Sequence, residues 1–162
     1  MNNLLIVRLI TFILFMFLTN TLFAQSKINI KKHKIKSSID YDIKLGKNIL
    51  DNKEIYDANG EVIEEYSYNK DGKLKSGHKY KRKADGDIIE EIEIGENGKV
   101  KEKRIVKHND NGDKIEEDFY NASNKLTKKN IYVYDSKGLK VERKTYDDKG
   151  MLKSMKKFVY EF

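Results

Sequence analysis

The chain has 162 residues, with 33 Lys and Arg against 26 Asp and Glu, a formal net charge of +7, and no Cys, Pro or Trp. Without Cys there is no disulfide framework, no lipid-modified cysteine and no thiol nucleophile. Charged residues make up 36% of the sequence, but acids and bases are interleaved and do not collect in one basic stripe, which argues against nucleic acid as a partner.

The first segment is apolar. Met1 to Arg8 is weakly positive, Leu9 to Leu18 is an apolar core, and Leu22-Phe23-Ala24 offers a cleavage site before Gln25. Residues 1–24 are therefore expected to be a secretory signal peptide. The competing reading is an uncleaved anchor over Leu4 to Phe23, which Arg8 and Thr19-Asn20-Thr21 interrupt. No integral membrane span is expected after cleavage. An exported chain without disulfides suits a secreted or periplasmic place in a bacterial cell envelope.

Residues 25–45 form a lead-in and first strand. Lys27 to Lys36 is basic and left unassigned, whereas Ile39, Tyr41, Ile43 and Leu45 alternate like a strand. Residues 46–162 read as a repeat domain of β-hairpins. Gly60, Gly72, Gly86, Gly98, Gly112, Gly138 and Gly150, with Asn124 filling one gap, recur at intervals of 12 and 14, so the full repeat is 26 residues. Before each stands a turn text, as in Tyr56-Asp57-Ala58-Asn59-Gly60 and Tyr146-Asp147-Asp148-Lys149-Gly150. Asp or Asn opening a type I turn and Gly in the left-handed region after it predict three-residue hairpin loops with a G1 bulge. Tyr56 is then expected opposite Val62, Tyr68 opposite Leu74, Tyr120 opposite Leu126 and Tyr146 opposite Leu152.

Between turns, apolar residues fall on even offsets from the Gly (Val62, Tyr66 and Tyr68; Ile88, Ile92 and Ile94; Leu126, Tyr132 and Tyr134), which is the strand period. Because 12 and 14 are both even, this set is expected to keep one continuous apolar face without a register slip. Short segments are acidic in their middles (Glu64-Glu65, Glu90-Glu91, Glu116-Glu117) and long ones basic, so each acidic strand is expected between basic neighbours. The fold class expected is all-β, an antiparallel meander forming one long twisted or curled sheet. An outer-membrane barrel is the disfavoured alternative, since Lys101, Lys103, Arg104 and Lys107 put charge on both faces of one strand.

The turn text from Tyr56 to Val62, from Tyr68 to Leu74 and, displaced by one, from Tyr134 to Val141 resembles the YD repeat of Rhs and teneurin-type proteins. The resemblance covers roughly residues 56 to 160. Arg82-Lys83, Ile94-Gly95 and His108-Asn109 replace Tyr-Asp, and Asn124 replaces Gly. In that family, long arrays of hairpins build a shell that can enclose a toxin. Eight turns are too few to close one, so the hairpin is implied here and the cargo is not.

No catalytic residue, metal or cofactor is expected, and the chain reads as non-enzymatic. His33, His78 and His108 lack zinc-site spacing, with His108 expected as an exposed cross-strand residue. Adjacent carboxylates such as Glu64-Glu65 point to opposite faces of a strand. Asn109-Asp110-Asn111 and Asp147-Asp148 suit turns better than Ca²⁺, because Lys114 stands where an EF-type loop needs Gly. Binding is the better expectation. Tyr68, Tyr120 and Tyr146 should line one end of the strands and Tyr56, Tyr134 and Tyr160 the other, same-end neighbours being about 10 Å apart. Beside lysines they make a platform for carbohydrate or a cell-surface polymer, against the alternative that they pack on aliphatic partners. The second functional expectation is a protein-partner module, toxin shield or immunity-like, that binds through an exposed sheet face or edge.

Overall fold

The computed structural model describes residues 27–161. The expected signal peptide and the expected mature start at Gln25 lie outside the described residues. A short helix, α1, spans 27–32. Ten strands follow: β1 (Ser37–Lys44), β2 (Lys47–Tyr56), β3 (Val62–Tyr68), β4 (Leu74–Arg82), β5 (Ile88–Ile94), β6 (Val100–His108), β7 (Lys114–Asn121), β8 (Leu126–Tyr134), β9 (Lys140–Asp147) and β10 (Leu152–Lys157). They form one antiparallel sheet in sequence order, with β1 and β10 at opposite edges. The protein is thus an all-β meander that does not close. Among the described residues no helix is long and apolar enough to cross a membrane.

The turns form where their chemistry is local. In the β2–β3 loop Asp57 N–H donates to Glu61 C=O at 2.9 Å and Gly60 N–H to Asp57 C=O at 3.1 Å, with Gly60 at φ +79°. The Asp57 carboxylate accepts from the N–H groups of Asn59 and Glu61, and Asn69, Asn109, Asn121, Asp135 and Asp147 repeat this clamp in their own turns. Where Lys83 and Gly95 take the opening position, Asp85 and Asn97 accept a backbone N–H instead. Asn124 adopts φ +59°, the left-handed region that Asn tolerates better than most residues. The β1–β2 connection differs. Leu45 and Gly46 both have positive φ, 50° and 75°, between Lys44 and its partner Lys47, a two-residue turn of the primed kind. Leu45, expected to continue the strand, sits in that turn fully exposed.

The four expected pairs are present: Tyr56–Val62, Tyr68–Leu74, Tyr120–Leu126 and Tyr146–Leu152. The expectation of a single even-numbered face fails one residue further on. Each of the eight repeat hairpins carries a register shift just beyond these pairs, so Ile55 faces Glu64 and skips Ile63, and Ser67 faces Ser76 and skips Lys75. A bulge sets two residues against one, and directly opposed residues share a face. Even-numbered residues of one strand therefore lie with odd-numbered residues of the next. Tyr66, Ile92 and Ile94 fall on one side of the sheet and Tyr132 and Tyr134 on the other.

Pairing from strand to strand defines the two sides. Face A has rows Tyr80–Glu91–Arg104–Phe119–Lys128–Asp147 and Val106–Glu117–Asn130–Thr145–Ser154. Face B has rows Ile55–Glu64–Lys79–Ile92–Lys103–Tyr120 and Lys81–Glu90–Ile105–Asp118–Lys129–Tyr146. The acid–base alternation is realised as ion pairs, among them Lys79–Glu64 at 3.3 Å, Lys107–Glu116 at 2.6 Å and Lys129–Asp118 at 3.3 Å. Among the described residues, Ile94, Val106 and Phe119 are the buried apolar ones, and no side chain is completely enclosed. No residue then contributes the full ~1.5–3 kcal/mol of a completely buried aliphatic or Phe side chain, and ladder bonds and turn clamps carry a correspondingly larger share.

The basic lead-in is partly helical and docks on the first repeat turn. A Cβ at Gly60 would lie 2.8 Å from Lys27 C=O and 3.5 Å from Ile30 Cγ2, so only Gly lets α1 sit this close. Lys27 also bonds Glu61, and Tyr56 N–H donates to Lys36 C=O.

Candidate functional site

The middle of face A carries a hydrogen-bonded strip from β3 to β9. Tyr80 O–H donates to Glu65 at 2.7 Å, and His78 Nδ1 lies 2.9 Å from Glu91. Arg104 bridges Glu91 and Glu117. Glu117 also accepts from Lys114 at 2.7 Å, Asn130 at 3.2 Å and Tyr132, and Thr145 donates to Asn130 at 2.9 Å. Glu117 is only 3% exposed. Burial alone would push its carboxyl up, but the bonds from Lys114, Tyr132 and Asn130 outweigh that and hold it down at about 2. Burial and the bond to Glu117 push Tyr132 up to about 12. Burial and the bond to Glu65 push Tyr80 up as well. These phenols stay protonated as donors, and the carboxylate stays ionised as the acceptor that fixes Arg104.

Beside this anchor lies a shallow depression of about 230 Å³ lined by Glu91, Glu93, Glu102, Arg104 and Phe119. Glu93 stands directly opposite Glu102, an arrangement that destabilises a ladder. Lys101, the bulged residue, compensates Glu93 at 2.6 Å, while the Glu102 side chain makes no hydrogen bond or ion pair with the described residues. The depression thus offers carboxylate acceptors around one fixed guanidinium donor, with an aromatic floor whose ring Lys128 covers at 3.7 Å. It bears more acid than base although the chain as a whole is basic. Among the described residues no group of three or more His, Cys, Asp or Glu is placed to hold a metal ion.

The six tyrosines singled out from the sequence do not converge. Tyr56 and Tyr134 lie at one end of the strands on face A, and Tyr160 follows at the same end. Tyr68, Tyr120 and Tyr146 lie at the other end on face B. Several are tied into the fold. Tyr56 O–H bonds Glu54 and Ser38, Tyr134 O–H donates to Lys114 C=O at 2.9 Å and Tyr160 O–H to Lys140 C=O at 2.9 Å. Tyr120 lies under the Lys103 ammonium at 4.8 Å. Tyr68 lines a groove of about 400 Å³ with Leu50 and Lys75.

Arg82, His108, Tyr134 and Tyr160 occupy one position of the 26-residue repeat, and three of them reach back to a backbone carbonyl of the preceding hairpin. His108 is not the exposed residue expected. Its side chain is 9% exposed, with Nε2 at 3.9 Å from Asp87, and its Nδ1 has no partner, because the imidazole is shorter than the phenol or guanidinium at equivalent positions.

The face A depression was missed because the slip-free register places Glu93 opposite Lys101, a favourable pair, and the bulge moves Glu102 there instead. The available signal was the recurrence of Glu65, Glu91 and Glu117, and of His78, Arg104 and Asn130, at the 26-residue period.

No family model matches the chain, and no curated protein matches it. Among solved structures, a Bacteroides fragilis protein of unknown function is similar at 14% identity, with 78% of this chain and 96% of that one covered and a TM-score of 0.42. The GtfA/B complex bound to UDP and GlcNAc is similar at 12% identity and TM-score 0.35, over 75% of this chain and 24% of that one. TarM is similar at 17% identity and TM-score 0.34, over 82% of this chain and 23% of that one.

Proposed function

We propose that the chain is an exported, non-enzymatic interaction module of YD-like hairpins, and that face A binds a hydroxyl-rich polymer of the cell envelope, with a neutral or amino sugar as the recognised unit. The observation that carries this reading is the Glu93–Glu102 opposition beside Arg104. A like-charge pair costs ladder stability, and departures of this kind concentrate where a surface serves something other than folding. Sugar hydroxyls donate to carboxylates and accept from a guanidinium, and an amino sugar adds a cation that the acidic depression favours. The same acidity disfavours polyanionic envelope polymers at this point.

The test is calorimetric titration with a neutral glucan, a deacetylated amino-sugar oligomer and a teichoic acid, at low and at high salt. Saturable binding of one of the first two that persists at high salt, and weakens about tenfold or more in Glu102→Gln, supports the reading. About tenfold corresponds to ~1.4 kcal/mol. Loss on Tyr68→Ala or Tyr134→Ala with Glu102→Gln unaffected moves the ligand to the strand ends. Binding of the teichoic acid alone, abolished by salt, leaves only generic charge. A protein partner that adds a strand is the second reading, favoured by the exposed Ile39, Tyr41 and Ile43 on β1 and Leu152 and Met155 on β10.

A further inference from the structure

We infer that copies of this chain associate head to tail, β10 of one copy pairing with β1 of the next, so that the meander continues across molecules. This inference is independent of the glycan reading. Among the described residues, β1 bonds only β2 and β10 only β9, so each edge strand presents a row of backbone N–H and C=O groups that no other described strand pairs. Such edges are templates for strand addition unless blocked. Every residue of β10 is exposed, as are all but one of β1. Ile39, Tyr41 and Ile43 on β1 and Leu152 and Met155 on β10 give both edges apolar side chains open to solvent.

Three features bear on β1 against β10: the first selects it over either edge against itself, and the other two allow it. The first is charge. β10 carries Lys153, Lys156 and Lys157, and β1 carries Asp40 and Asp42 with a single Lys44, so β10 against β10 opposes lysines while β1 against β10 extends the alternation of acidic and basic strands found inside the sheet. The second is strand direction. With ten strands in an antiparallel meander, β10 runs opposite to β1, and a copy placed beside it by rotation and translation along the sheet arrives antiparallel. The third is facing. In that placement Lys156, which lies opposite Arg143 on face A, meets the face A side of β1, where Asp40 lies. A heterologous contact of this kind produces a ring if its rotation closes and a filament if it does not.

The experiment is sedimentation velocity over a wide concentration range on the purified protein, with whatever N-terminus the expressing cell leaves. Two charge reversals are compared with the parent: Asp40→Lys with Asp42→Lys, and Lys156→Glu with Lys157→Glu. The altered side chains are exposed, and circular dichroism melting verifies that each variant is folded. The parent should assemble as concentration rises, each reversal alone should stay monomeric to about tenfold higher concentration or beyond, and an equimolar mixture of the two should assemble again, because each variant then offers the edge that the other lost. A parent that is monomeric throughout, a reversal that assembles like the parent, or a mixture that stays monomeric each overturns the inference. The second outcome covers assembly through any other surface.

Discussion

The middle of the sheet and its two edges share one meander and, apart from the two-residue turn at β1–β2, one kind of turn, yet they differ sharply in burial. Among the described residues, every buried non-glycine residue lies on β5 to β8: Ile94, Val106, Glu117, Asp118, Phe119 and Asn130. β1 and β10 are solvent-exposed along almost their whole length. In one sheet layer a side chain is buried by neighbours on both flanks, and only inner strands have two. Stability is therefore concentrated in the centre, which frees the edges to carry association and the loops to repeat without cost to the core.

The largest test of that contrast is Glu117→Ala. It strips Asn130 and Tyr132 of their acceptor and Arg104 and Lys114 of a shared partner, and each buried donor left unsatisfied costs about 1–3 kcal/mol, to be read as a lower urea midpoint. The same carboxyl gives the centre a pH signature. Its folded pKa of about 2 lies below the ordinary 4.5, so its stabilisation is complete above about pH 4.5 and is lost as pH falls toward 2. Glu117→Gln should flatten the acid limb of the stability profile in that window, and an unchanged limb would show that other carboxylates dominate it.

Next in size is Gly77→Ala on β4. A Cβ there would meet Tyr66 Cδ1 at 2.5 Å, where the ring lies across the glycine. The expected loss is about 1–3 kcal/mol, and it should shrink when combined with Tyr66→Ala, which removes the obstacle. Smaller still is Asn121→Ala, which deletes the clamp on the N–H groups of Ser123 and Lys125 and should cost about 1 kcal/mol. At the far end of the scale, Met155→Ser on β10 should change the monomer by less than about 0.5 kcal/mol. A loss comparable to that of Gly77→Ala would mean that the edge is not the free surface described.

The hairpins were legible because their chemistry is local. A residue at φ near +75° and a carboxylate or amide two residues ahead of the N–H it clamps leave their names in the sequence, and so did the pairs of Tyr56, Tyr68, Tyr120 and Tyr146. The second bulge was not legible, because it is made by residues as different as Ile63, Lys75, Thr127 and Val141 and no residue type marks it. That one hidden residue per hairpin decides which side chains share a face, so the Arg104–Glu117 strip and the Glu102 depression were hidden with it. The helix at 27–32 was missed because six residues hold too short a pattern to register as a period, and its docking depends on the space above Gly60.

A meander in which every strand bonds only its neighbours in sequence has a mechanical consequence. The strands at the two ends of the described chain are also the two flanks of the sheet, so tension applied between them would not shear the ladder as a whole. It would peel strands one at a time from whichever flank is weaker. Each peeled strand and loop of 12 or 14 residues releases about 40–50 Å of chain at ~3.3–3.6 Å per residue. The force trace would then be a staircase of nearly equal steps, with its highest step where Glu117 and Arg104 are pulled apart.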